Sequence, residues 1–104
     1  MLVDAALTTT ALVDVPAAAK AIEDAGFDGM YSFEGRHDAL FPLLLAAEHT
    51  ERVRLTTAVV IAFARNPMTL AQSAFDLNVA SRGRFTLGLG TQIKPHIEKR
   101  YSMQ

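Results

Sequence analysis

The stretch "LGLGTQI", Leu87 to Ile93, sets Gly88 and Gly90 one residue apart, between a run that reads as a strand and a Pro95-led run that reads as a helix. Glycines at such a turn can let a ligand come close to main-chain amides. A dinucleotide fingerprint would need a third glycine where Ile93 stands, and a phosphate loop would need Gly-Lys-Ser/Thr, which is also missing. The pair names no ligand by itself, so its place on the fold must supply the meaning. Ser32, Glu34, Arg36, His37 and Asp38 crowd a second short run, Arg65 and Asn66 a third, and Thr91 and Gln92 follow the glycines. His37 could serve as a proton donor near neutral pH. Arg36 and Arg65 could hold anionic groups of a ligand. Asp38 and Asn66 have a plainer reading as helix caps, because a short side-chain oxygen can accept the first free amides of a helix.

To gather these runs, the chain needs elements that all end at one place. "LVDAALTT" (2–9), "FDGMYSF" (27–33), "VRLTTAVVIAF" (53–63) and "RFTLGLG" (84–90) read as strands, the third rich in β-branched residues. Between them lie helical runs. Asp14 is expected to cap the first, which Pro16 opens and Gly26 ends. The second, "ALFPLLLAAEHT", follows Asp38 and carries His49 in its last turn, where a cation suits the helix dipole. The third starts at Asn66-Pro67, with Leu70, Ala74 and Leu77 on its apolar side. Glu23, Asp24, Glu48 and Glu51 read as solvated helix faces.

Strands alternating with helices imply βαβ units and a parallel sheet. The units repeat every 25 to 31 residues or so, as in a (β/α)8 barrel of about 250 residues. The expected fold is α/β, the N-terminal portion of a TIM barrel with about four βα units and parallel strands in the order 1-2-3-4. Residues 1–104 would then be a single partial domain, because purely parallel sheets are buried on both faces and four strands alone would expose one. A small doubly wound nucleotide-binding domain is the alternative, and it requires a different strand order. In a barrel, chemistry sits at the C-terminal ends of the strands. All three polar runs fall there, whereas Arg82 and Arg84 fall at the opposite end and would serve folding. "GLGT" is then a strand end at the functional rim, where glycine lets a flat ligand approach.

Composition narrows the partners. The chain has 104 residues, half of them apolar, a net charge of −1 and no cysteine. No basic cluster suggests nucleic acid or an anionic membrane. Disulfides and thiolate metal sites are excluded. No signal peptide or membrane span is visible, so a cytoplasmic location and a small-molecule substrate are expected, with homo-oligomerisation left open. "KRYSMQ" carries no helix-stop signal, so the chain is expected to break off inside a helix.

The run from "AGFDG" through "PLLLAAEHT" and "RVRLTTAVV…NP" to "SRGRFTLGLGT" closely resembles the luciferase-like monooxygenases, in particular their deazaflavin (coenzyme F420)-dependent oxidoreductases. The order and spacing of these elements span nearly the whole chain. The resemblance implies a TIM barrel whose coenzyme ring, F420 or alternatively FMN, lies across the strand ends and takes part in hydride transfer. It implies a non-prolyl cis peptide in the third strand, between Ala58 and Val59, in a bulge that supports the ring. It places Glu34 at the acidic position after the second strand, beside the coenzyme, and Gly90 and Thr91 near the ring. Many members carry histidine directly after that acid; here Gly35 stands there, and His37 is the nearest histidine for the acid–base role. Some deazaflavin enzymes carry glutamate where Ile93 stands, so no single member's proton scheme transfers whole. The isolated chain is expected to turn over no substrate. A non-catalytic reading is a truncated product that associates through its open edges.

Overall fold

The computed structural model describes residues 2–8, 11–34, 38–61 and 65–90. In chain order they form β1 (Asp4–Ala6), α1 (Val15–Asp24), β2 (Gly29–Ser32), α2 (Leu40–His49), β3 (Arg54–Thr57), β4 (Val60–Ile61), α3 (Pro67–Ala80), β5 (Phe85–Thr86) and β6 (Leu89–Gly90). A single 3-10 turn, Leu12–Asp14, runs directly into α1. The first sheet has the order β1-β2-β3-β5 and a second, smaller ladder pairs β4 with β6; every pairing is parallel. The third and fourth expected strands are thus both present, each broken once near its C-terminal end. Their sequential order removes the doubly wound alternative.

The core follows from the helical stripes. Val15 and Ala19 of α1, with Ile22 half-buried one turn further on, face the sheet. In α2 the buried positions are Leu40, Leu43, Ala46 and Ala47, and in α3 Leu70 and Leu77. These meet Met30 and Leu55, which lie fully buried side by side in the β2–β3 register. Burying a side chain of that size contributes about 1.5–3 kcal/mol, so this layer is the main apolar term holding helices to sheet. The helices also pack in sequence, α1 on α2 and α2 on α3. Among the described residues no helix is long and apolar enough to cross a membrane.

Two clamps close the end of the sheet away from the polar runs. Glu23, in the last turn of α1, accepts main-chain amides of Glu51 (3.0 Å), Arg52 (2.7 Å) and Val53 (3.1 Å), the residues that lead into β3. Burial raises its carboxyl pKa, but the three amides together with Arg52 outweigh that and hold it below the usual glutamate value. The expected solvated-face role of Glu23 is corrected accordingly; its partners lie too far along the chain for helical spacing to show. Arg84 is the second clamp. Its guanidinium donates to the carbonyls of Ala47, Thr50, Val53 and Ser81 and to the Thr50 hydroxyl, at 2.8 to 3.1 Å. It thereby ties the end of α2 to the start of β5, the folding role expected of it.

Gly26 ends α1 with a φ of +92°, as its sequence position suggests. Asp14 does not cap that helix. Its own backbone is helical (φ −92°, ψ −10°), because the 3-10 turn has already begun, and a capping side chain needs an extended backbone. Arg84→Ala is expected to cost about 2–4 kcal/mol, since several carbonyls lose one charged donor together. Chemical unfolding checks this against Lys20→Ala, which removes an exposed ion pair and should leave the transition where it was. Equal midpoints for the two variants would refute the clamp.

Candidate functional site

The interruption in the sheet shapes the strand ends. β3 pairs with β5 up to Thr56 and Thr86, and β4 resumes with β6 at Val60 and Leu89. Across the gap the Thr57 hydroxyl takes the place of the main chain, donating to the Gly88 carbonyl (2.9 Å) and accepting from the Gly88 amide (2.8 Å). The amide of Val60 donates to that same carbonyl at 2.8 Å. The Ala58–Val59 peptide bond within the gap is cis, at the place the resemblance implies. A Cβ at Gly88 would lie 2.2 Å from the Thr57 carbonyl oxygen, and one at Gly90 would lie 2.7 Å from a Val59 methyl carbon. Close approach of the neighbouring backbone therefore requires glycine at 88, and the Val59 side chain crowds position 90, whether or not a ligand is present.

The polar residues gather beside this gap. The amide of Ala58 donates to the Ser32 carbonyl (2.7 Å), and that of Glu34 to the Val59 carbonyl (3.3 Å), so Glu34 is hung next to the cis bond. Arg65 reaches across from the residues after β4. Its Nη2 donates to Glu34 Oε2 and to Asp38 Oδ1, the latter at 2.6 Å. Asp38 uses its other oxygen to accept the amides of Leu40 (2.6 Å) and Phe41 (2.7 Å), and so caps α2 as expected. Burial pushes the Asp38 carboxyl up, but Arg65 and the two amides prevail and hold it below the usual aspartate range. For Arg65, burial works against the charge while the two carboxylates outweigh it and strengthen its hold on the proton. Asn66 caps α3 through Met68 (2.8 Å) and Thr69 (3.3 Å).

Of the residues singled out from the sequence, Glu34, Ala58, Val59 and Gly90 come together at the strand ends. His37 and Thr91, with Arg36 and Gln92, lie outside the described residues. Apolar side chains are exposed near these strand ends: Phe33, directly before Glu34, is 52% and Leu89 53% exposed, and Ala58 is exposed as well. Exposed Ala58, with Glu34 hung from the neighbouring Val59, can meet one face of a flat, partly polar ring. Two features escaped the sequence. Arg65 binds the protein's own carboxylates, with a spacing to Glu34 that reflects no local periodicity, and Thr57 looks like any β-branched strand residue.

The luciferase-like monooxygenase family matches residues 2–104. The chain belongs to that family. An uncharacterised protein from Mycobacterium tuberculosis is 59% identical over 86 residues, 83% of this chain and 25% of the relative. A candidate coenzyme F420-dependent oxidoreductase of the same species is 40% identical over 85 residues, 81% of this chain and 24% of the relative. The chain spans about a quarter of the length of these curated relatives. Among solved structures, a monooxygenase from Streptomyces bottropensis superposes with a TM-score of 0.87 at 23% identity, covering all of this chain and 37% of the other. The coenzyme F420-dependent tetrahydromethanopterin reductase of Methanopyrus kandleri gives 0.82 at 23% identity, over 94% of this chain and 29% of the other. The oxygenating component of a Pseudomonas putida Baeyer–Villiger monooxygenase, solved with FMN, gives 0.84 at 17% identity, over all of this chain and 33% of the other. These luciferase-like enzymes are (β/α)8 barrels, so the present fold is part of such a barrel.

Because the folded Asp38 pKa lies below the usual 3.8, its contribution to stability is complete above that value and is lost as pH falls through the lower, folded one. Asp38→Asn should therefore be less stable than the parent at neutral pH and show a shallower loss on acidification. Thermal melts from about pH 2 to 7 test this. Parallel curves for the two proteins would show that Asp38 contributes nothing through its charge.

Proposed function

We propose that this luciferase-like chain supplies the first four strand ends of an oxidoreductase that docks coenzyme F420 across them, with FMN as the alternative, and acts on a small molecule. In that reading residues 1–104 are one partial domain of the whole enzyme. The observation that carries it is the exposed Ala58 at the strand ends, with Glu34 hung beside it through its amide bond to the Val59 carbonyl. Ala58, Val59 and Gly90 would meet one face of the ring. The carboxylate of Glu34 would accept a hydrogen bond from its polar edge. His37 and Thr91 are assigned by position as the proton-handling residue and a second contact near the ring. The deazaflavin supplies hydride transfer when bound, and the protein supplies orientation, electrostatics and exclusion of water. F420 takes first place because the relative named for it is 40% identical, whereas the FMN-bound structure is 17% identical.

The test is equilibrium binding of oxidised F420 and of FMN to the full-length protein, followed by absorbance and fluorescence. Saturable binding of F420 is expected, and Glu34→Ala should weaken it by about tenfold or more, the scale of one hydrogen bond to a charged group. FMN binding in place of F420 would support the alternative. Binding of neither would overturn the reading.

A further inference from the structure

Arg65 has an unusual arrangement for a half-buried arginine. A single nitrogen, Nη2, serves both Glu34 and Asp38, while its Nε is also buried and meets no hydrogen-bond partner among the described residues. A buried donor left without a partner is unfavourable, and a residue kept only for packing would not need it. Asp38 is pinned by the first amides of α2, so it is an anchor. Glu34 sits beyond the end of β2, and its amide donates to the Val59 carbonyl at 3.3 Å. Asp76 of α3 lines the cleft that Asp38 and Arg65 also line, and adds a third negative charge on that side.

We propose that Arg65 is a positioning residue: through Nη2 it transmits the fixed location of Asp38 to Glu34, and so sets where the Glu34 carboxylate stands at the strand ends. Without that cation, two partly buried carboxylates drawn to one point would repel. The inference rests on the coenzyme reading only in its affinity arm. Its structural arm concerns the protein alone. Because one nitrogen makes both contacts, a lysine ammonium, with three donors, can replace it, whereas a neutral amide cannot.

The experiment is residue-resolved amide hydrogen exchange on the full-length protein without coenzyme, with coenzyme affinity measured in parallel. Arg65→Gln should speed exchange at the Glu34 amide by about tenfold or more and leave Met30 and Tyr31 in β2 at parental rates. Asp38→Asn should also speed exchange at Glu34, and the double variant should add little beyond Arg65→Gln. Arg65→Lys should restore most of the protection and most of the coenzyme affinity. Unchanged exchange at Glu34 in Arg65→Gln, or fully additive effects in the double variant, would overturn the proposal. If Arg65→Gln loosens β2 throughout, Asp38→Asn and Arg65→Lys decide by the same criteria. Failure of the parent protein to bind either coenzyme would sink the functional reading and leave the exchange result standing.

Discussion

Where β3 stops, its last side chain replaces the main chain as the link to the neighbouring strand. The Thr57 hydroxyl bonds both the amide and the carbonyl of Gly88, and the Val60 amide shares that carbonyl. Two parallel strands can therefore leave their ladder at the same level and rejoin it without drifting out of register. The residues released in between, Ala58 and Val59, are freed from strand pairing on that side and present themselves at the sheet's end. Glu34 is suspended from Val59, Arg65 reaches Glu34, and Asp38 completes the group. The polar cluster thus depends on a gap that one hydroxyl keeps from spreading.

The two ends of the sheet are held by different physics. At one end Glu23 and Arg84 satisfy main-chain groups of segments far apart in sequence, and each fixes a helix to the start of a strand. Those groups are amides and carbonyls; of the two side chains that hold them, Glu23 titrates in acid and Arg84 keeps its charge. At the other end the ties run between ionised side chains, with Asp38 and Arg65 each shifted by the other. These ties between side chains gather at the C-terminal ends of the strands, where a barrel confines its chemistry.

Much of this was legible in the sequence. The alternation of β-rich runs with Ala- and Leu-rich helical runs gave the element order, and the caps at Asp38, Asn66 and Gly26 were readable because capping is local. The luciferase-like resemblance placed the cis bond at Ala58–Val59, which strand propensity could not have done. Misreadings arose where a partner lies far along the chain. Glu23 occupies an ordinary solvated helix position until the amides of residues 51–53 are brought to it. Arg65 looks like a free cation until Glu34 and Asp38 are brought to it. Asp14 failed for a local reason: an early 3-10 turn gave it a helical backbone and took away its capping geometry.

Gly88 carries a consequence for how this region can vary. Its missing side chain is excluded by a backbone oxygen of Thr57, not by the movable tip of a neighbouring residue. Smaller and larger replacements therefore meet the same obstacle at their first carbon, and chemical similarity offers no milder option. In a saturation library the position would behave as a switch, with one tolerated letter and a single shared phenotype for the others. Gly90, pressed by a valine methyl, has a neighbour that can turn aside. Two glycines that look equivalent in the sequence would leave different marks on the diversity of a family: one invariant, the other open to alanine wherever residue 59 is small.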